Sequence, residues 1–460
     1  MTSRGYLTFP LALGALLSLS LVQAQSLTQV WEWQQGSELQ DTIASCSLDS
    51  KGDLYLAGST WGDFGKFSGD WVDIMDYYSD FLAIKLSSAE DTPEGERMLW
   101  NYRDGAGKSD SLVAAAVLEE DGDCELVTVG TTSGKFACSN GCPHLDGVSK
   151  KPDFLAMSLS CDKGQVTWKT QDGTITVEKT EAMALLPDSG ELILVGSTMG
   201  SFAEPRDEPD YGMRDERGYP YDEDFATVKL SSSTGSMTEQ WRGGSPRGDR
   251  LKAVAVEEST GAIFLVGETF GEVAAPNAGG GDLTVIKMDA EGEESWTWQS
   301  SGATSESVAG AVLVGEGEVQ DLLLVGNVDT ETGEGITATR LDGSTGDVMW
   351  TWTSSYNYSA VAHACTYSNG NLLIAGSAAG AEEGEVHTGL YDFLVLGLDA
   401  TTGAPKLRWQ QGTTQTDRLS AICAAPDGSI YVAGETLGDY ARDNAGSWDV
   451  TAMKLSYQEP

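Results

Sequence analysis

Seven times along this 460-residue chain an apolar run ends in a small residue and a glycine, followed by a polar residue and usually a threonine. The runs extend from Leu54 to Thr60, Leu126 to Thr132, Leu192 to Thr198, Ile263 to Thr269, Leu322 to Val328, Leu372 to Ala378 and Ile430 to Thr436. Their glycines stand 72, 66, 71, 59, 50 and 58 residues apart. A fairly constant core interrupted by a variable loop is the mark of stacked supersecondary units.

Across a tight turn such as Ser50-Lys51-Gly52-Asp53 or Ser368-Asn369-Gly370, another apolar strand precedes each run. After the loop comes a third strand, opened by aspartate and often closed by lysine: Asp80 to Lys85, Asp153 to Ser158, Asp224 to Lys229, Asp282 to Lys287, Asp392 to Gly397 and Asp449 to Lys454. The fifth copy, Ile336 to Arg340, lacks the aspartate. A fourth strand is marked by Trp100, Trp168, Trp241, Trp298, Trp352 and Trp409. Four short antiparallel strands, nearly continuous in apolar residues, imply sheets covered on both faces. Seven such sheets stacked radially are a seven-bladed β-propeller.

The two ends of the chain support a closed ring. Val30-Trp31-Glu32-Trp33-Gln34-Gln35-Gly36 matches Leu407-Arg408-Trp409-Gln410-Gln411-Gly412, yet no repeat precedes it, and the seventh repeat stops after its third strand. Residues 30–34 are therefore expected to supply the outer strand of the last blade.

Units such as Gly428-Ser-Ile-Tyr-Val-Ala-Gly-Glu-Thr436 followed by Asp449-Val-Thr-Ala-Met-Lys-Leu455 resemble the SBBP-type propeller repeat. Leu341-Asp-Gly-Ser-Thr-Gly-Asp-Val-Met-Trp350 and Leu398-Asp-Ala-Thr-Thr-Gly-Ala-Pro-Lys-Leu-Arg-Trp409 are similar to the turn-and-tryptophan half of quinoprotein-like propeller repeats. The quinoprotein resemblance would imply a bound quinone, but the adjacent cysteine pair typical of those enzymes is absent from this sequence.

Arg4, the apolar run Leu11 to Val22 and the small-residue ending at Ala24 predict a secretory signal over residues 1–24, with the propeller occupying 25–460. No other apolar stretch is long enough to span a bilayer. The formal charge of -42 disfavours nucleic acid and anionic membranes as partners and suits a soluble, exported monomer. Seven cysteines are too few for a disulfide scaffold and odd in number. Cys124 and Cys161 fall at facing positions of one hairpin and are expected to bridge; Cys138 and Cys142 are expected to form a second disulfide rather than a zinc corner. Cys365 and Cys423 occupy equivalent places in first strands and read as buried thiols, with no partner assigned to Cys46. Asn357-Tyr358-Ser359 is a glycosylation acceptor.

The variable loops between second and third strands share one face with the loops that enter each new blade. They carry aromatic residues suited to a sugar ring or a protein partner: Trp61, Trp71, Tyr77 and Tyr78 in the first repeat, Tyr211, Tyr219 and Tyr221 in the third, Tyr440 and Trp448 in the seventh. Asp41, Asp110, Asp249, Glu306 and Asp417 stand just before the first strands, where converging carboxylates could attract calcium or, alternatively, cap turns. Arg247-Gly248-Asp249 looks like an integrin-recognition tripeptide. Three histidines, none in a catalytic or metal-ligand motif, offer little enzyme chemistry, and His363 reads as a core residue. These features lead to a secreted binding module for an extracellular protein or glycan, with a polysaccharide-active hydrolase using paired carboxylates on the same face as the alternative.

Overall fold

A computed structural model describes residues 26–64, 78–120, 122–137, 152–172, 178–187, 189–199, 223–315, 317, 319–331, 333–381 and 387–458. The expected signal segment, Trp71, Tyr77, Tyr211, Tyr219, Tyr221, Cys138 and Cys142 lie outside the described residues.

The chain forms seven four-stranded antiparallel sheets. Blades 1 to 6 run over residues 41–104, 110–172, 178–243, 249–299, 306–353 and 360–411; blade 7 combines residues 417–457 with the strand Leu27–Gln35. Strands are lettered a to d from the inside of each blade outwards. Leu27–Gln35 pairs antiparallel with Asp449–Tyr457, placing Trp33 opposite Ala452 as Trp409 stands opposite Val395 in blade 6. The ring is thus closed by the strand expected to close it, which is longer than residues 30–34.

The core is a set of slabs between blades, one per junction. Along strand b of blade 1, Leu54 and Leu56 enter the slab shared with blade 7, whereas Tyr55 and Ala57 enter the slab shared with blade 2. Because strand side chains alternate between faces and both faces are covered, the b strands read as unbroken apolar runs. Their repeated glycine has a separate cause. Every a strand carries one extra residue at the same place, namely Ala44, Val113, Glu181, Lys252, Ala309, His363 and Ser420. The glycine lies opposite this bulge, and a Cβ on Gly58 or Gly130 would stand 1.9 Å from a backbone carbonyl oxygen. No residue with a side chain fits there without moving the strand.

The tryptophans form two lanes rather than one. Trp100, Trp168, Trp296 and Trp350 donate their indole N–H to carbonyls of Cys161, Ser232, Gly343 and Ala400 in the following blade. Each ring lies against a glycine with positive φ in that blade's c–d turn, Gly164, Gly235, Gly346 and Gly403. Trp241, Trp298, Trp352 and Trp409 stand two residues further along strand d, so the sequence alignment of Trp100 and Trp168 with them is corrected by one strand period.

Cys124 and Cys161 are bridged within blade 2. Cys423 is not a free thiol: it bridges to Cys46, joining the innermost strands of blades 7 and 1 across 377 residues of sequence. Cys365 and Cys423 differ by one position in strand register, so they face opposite junctions. Cys365 packs in the slab between blades 5 and 6 as a free thiol, which desolvation pushes up to about 12. Among the described residues no helix is long and apolar enough to cross a membrane.

Candidate functional site

One face of the ring gathers the b–c loops and the d–a loops. The first residue of strand a donates its backbone N–H to the residue preceding strand c of the previous blade, as in Asp41 to Trp448 and Asp110 to Ser79. Loops of neighbouring blades are thereby stitched together at the base of this face.

The inner acids are spent on that stitching. Asp41 accepts the Ser37 N–H at 2.6 Å and the Thr60 hydroxyl; Asp110 accepts the Ala106 N–H at 2.6 Å and Thr132 at 2.5 Å. Asp249 is held by Ser245 and Thr269, and Asp417 by Thr413 and Thr436. All four are at most 1% exposed. Burial pushes Asp41 and Asp110 up to about 6 and Asp249 up to about 7, against the pull of these hydrogen bonds. Glu306, which faces Val328 instead of a threonine, turns to the Ser300 hydroxyl. In blade 6 both partners are alanine, Ala360 and Ala378. Where the threonine is present the acid pairs with it; blade 5 keeps the acid alone, and blade 6 has neither. Among the described residues no three His, Cys, Asp or Glu side chains are grouped to hold a metal ion.

Glu178 of blade 3 belongs to the same set, with Thr198 donating to it at 3.3 Å, and the sequence reading passed over it. Its distance of 18 residues before Gly196, within the 17 to 20 of the other blades that carry an acid, was the available signal. Because Asp249 is buried, Arg247-Gly248-Asp249 does not present its carboxylate to a partner.

A second device was missed, a glutamine clamp. Gln34 accepts from the backbone N–H of Tyr440 and Ala441 while donating to the Gly438 carbonyl and to Asp449. Gln299 repeats the arrangement on residues 271–275 with Asp282, and Gln171 repeats it on residues 134–137 with Asp153. In blades 1 and 3 the place is taken by Arg103 and Arg242, which pair with Asp80 and Asp224. The aspartates opening the c strands therefore pin the roots of long b–c loops. Blade 5 has a tight b–c hairpin and neither residue: Gly335 replaces the aspartate and Thr353 the glutamine.

The candidate aromatics divide. Tyr440 is a satellite of the core, its ring 5.1 Å from Phe393 and its hydroxyl on Gln29. Tyr78 and Trp448 are half-buried with the Lys108 and Arg418 cations each 4.8 Å from their ring centres. Trp61 is 36% exposed. Trp61 donates to the Gln40 carbonyl and Trp448 accepts from Asp41, so both flank the segment entering blade 1. Asn357 is exposed in the loop between blades 5 and 6.

On the a strands lining the axis, cations are the outward members of the ion pairs. Lys179 and Arg250 meet Glu223, and Arg418 meets Glu435, with side-chain exposures of 43, 27 and 36% against 4, 4 and 1% for the acids. Lys252 pairs with Glu181 at 2.8 Å. The channel mouth is thus not a ring of free carboxylates. His363 is the extra residue of blade 6's bulge, touched by water yet ringed by protein rather than in the core. Desolvation and then the Arg418 charge pull it down to about 4, so it stays neutral near pH 7.

No family model matches the chain, and no curated protein matches it in sequence. Solved structures do share its architecture. It is similar to Raptor of Chaetomium thermophilum (TM-score 0.54, 10% identity, 94% of this chain and 29% of that longer chain). It is also similar to Kuenenia stuttgartiensis hydrazine synthase (TM-score 0.51, 10% identity, 90% and 96%). The quinohemoprotein alcohol dehydrogenase of Comamonas testosteroni aligns at a TM-score of 0.44 and 10% identity, over 93% of this chain and 76% of that one. At these identities the likeness is one of fold: the chain is built as a β-propeller.

Proposed function

We propose that the chain is an exported, monomeric binding module that engages an extracellular protein or glycan through its loop-bearing face. A propeller serves in general as a rigid scaffold for interaction, and its function resides in what its loops display. The observation that carries the proposal is an asymmetry. Six of the seven b–c connections are long and differ from one another, while the roots of several are clamped by the same glutamine, arginine and aspartate geometry. Export is supported by two disulfides, which persist in oxidising compartments. Kinship with SBBP-type repeats rests on the repeat residues themselves. Binding of the purified 25–460 protein to a glycan array and to extracellular extracts, compared with Trp61→Ala, tests the reading. Loss of a saturable interaction in the variant is expected; retention of every interaction would remove this face from consideration.

A further inference from the structure

Between blades 2 and 3, on the loop-bearing face, lies a cavity of about 330 Å³. Of its eleven lining residues only Val113 and Pro152 lack a polar side chain. Its volume is at the low end of the roughly 300–1,000 Å³ of small-molecule sites. We propose that this cavity binds a neutral, hexose-sized polyhydroxylated ligand, such as one sugar unit of a neutral glycan. The proposal rests on the binding-module reading and names its ligand class.

At two positions this junction carries smaller side chains than the junctions that follow blades 4 and 7. Directly after the b-strand Thr132 stands Ser133, where blades 1, 3, 4 and 7 have Trp61, Met199, Phe270 and Leu437. After the repeated glycine stands Thr131, where blades 4 and 7 have Glu268 and Glu435 and blades 1, 3 and 6 have Ser59, Ser197 and Ser377. Those glutamates reach across their junctions to accept the backbone N–H of Val308 and Ile43. Thr131 accepts the Thr180 N–H with a much shorter side chain, so the same stitch is made and space is left above it.

The chemistry of the lining favours a neutral polyol. The hydroxyls of Ser109, Ser111 and Ser133 make no hydrogen bond among the described residues and can donate or accept. Lys179 uses one bond on Glu223, leaving further ammonium protons, and Glu181 accepts from Lys252 through one oxygen, leaving the other. Donors and acceptors of both signs thus point into one small space, as sugar hydroxyls require. A polyanionic chain would meet the field of a protein with a net charge of -42.

The test is titration of the 25–460 protein with glucose, galactose, mannose, N-acetylglucosamine and glucuronate, followed by saturation-transfer NMR and calorimetry. Ser133→Trp installs the residue of blade 1 and Thr131→Glu that of blades 4 and 7; melting curves identify the variants that keep the fold. At least one neutral sugar is expected to bind the wild type and to weaken roughly tenfold or more in each folded variant. Absence of neutral-sugar binding, binding unchanged in a folded variant, or binding of glucuronate alone overturns the proposal. If no neutral sugar binds while a macromolecular partner is still lost in Trp61→Ala, the cavity assignment fails and the binding-module reading stands; if a neutral sugar binds the wild type and is lost in Ser133→Trp while Trp61→Ala keeps every macromolecular interaction, the cavity stands and the Trp61 reading fails.

Discussion

The junction between blades 7 and 1 and the junction between blades 2 and 3 use the same strands at the same positions and come out differently. At the first, Cys46–Cys423 ties the inner strands, and Glu435 crosses to the Ile43 N–H. Further out, Lys454 pairs with Glu90 and Arg97 lies 4.2 Å from the centre of the Trp31 ring while donating to the Ser87, Ala89 and Thr92 carbonyls. At the second, serines and threonines leave a cavity. The repeat fixes where blades touch, and substitution at a few repeat positions decides whether a junction is a seam or a site.

The largest effect should come from breaking the seam. Replacing Cys46 and Cys423 by serine removes a link closing 377 residues and should lower stability by about 5 kcal/mol, the top of the range for disulfides. Removing Cys124–Cys161, with a separation of 37, should take away about 4 kcal/mol. Denaturant melts of the two double variants check the order, and the reverse order would mean that the ring is held shut without its bridge. Next, Gly58→Ala and Gly130→Ala should each lose about 3 kcal/mol by overpacking, whichever junction is open, because the clash lies within a blade. A difference of more than about 1 kcal/mol between them would show that the cavity relaxes blade 2.

Gln34→Leu should cost about 2 kcal/mol, since it removes one of the donors to the Gly438 carbonyl and orphans the N–H groups of Tyr440 and Ala441. Limited proteolysis should then cut within 438–447 before any other part of blade 7. The smallest effect concerns pH. Asp41 at the seam and Asp110 at the cavity both sit at about 6, above the ordinary value of 3.8. Raised carboxyl pKa values stabilise the fold fully below about 4, and the contribution is lost as pH rises through 6. Melting temperature should therefore fall between about pH 4 and 6.5 at constant ionic strength, with a shallower fall in Asp41→Asn and Asp110→Asn; parallel curves for all three proteins would place the dependence elsewhere.

Blade number, strand order and ring closure were legible because they rest on repetition: a glycine forced by a bulge, an aspartate opening strand c, a Trp-Gln-Gln-Gly ending shared by residues 33–36 and 409–412. The roles of side chains were less so. Asp41 and Thr60 are 19 residues apart and meet only once the bulge sets their register, so the sequence left a turn cap and a cation ring both open while favouring the cap. Cys423 and Cys365 looked alike because one position of strand phase, which selects the junction a side chain faces, is not visible in a short apolar run. The cavity was invisible for a different reason. It is made by what Ser133 and Thr131 lack compared with Trp61 and Glu435, and only a structure shows that those positions confront the next blade.

Closure by the first strand also sets a clock. Leu27–Gln35 emerges early, but its partner Asp449–Tyr457 is made last of the described strands. At translation rates of roughly 5–20 residues per second, the strand waits on the order of 20–80 s before it can pair. During that time six blades can assemble while the seventh lacks its outer edge and Cys46 lacks Cys423. An unpaired Cys46 accordingly reports an unfinished molecule, and its oxidation marks the moment at which the ring becomes whole.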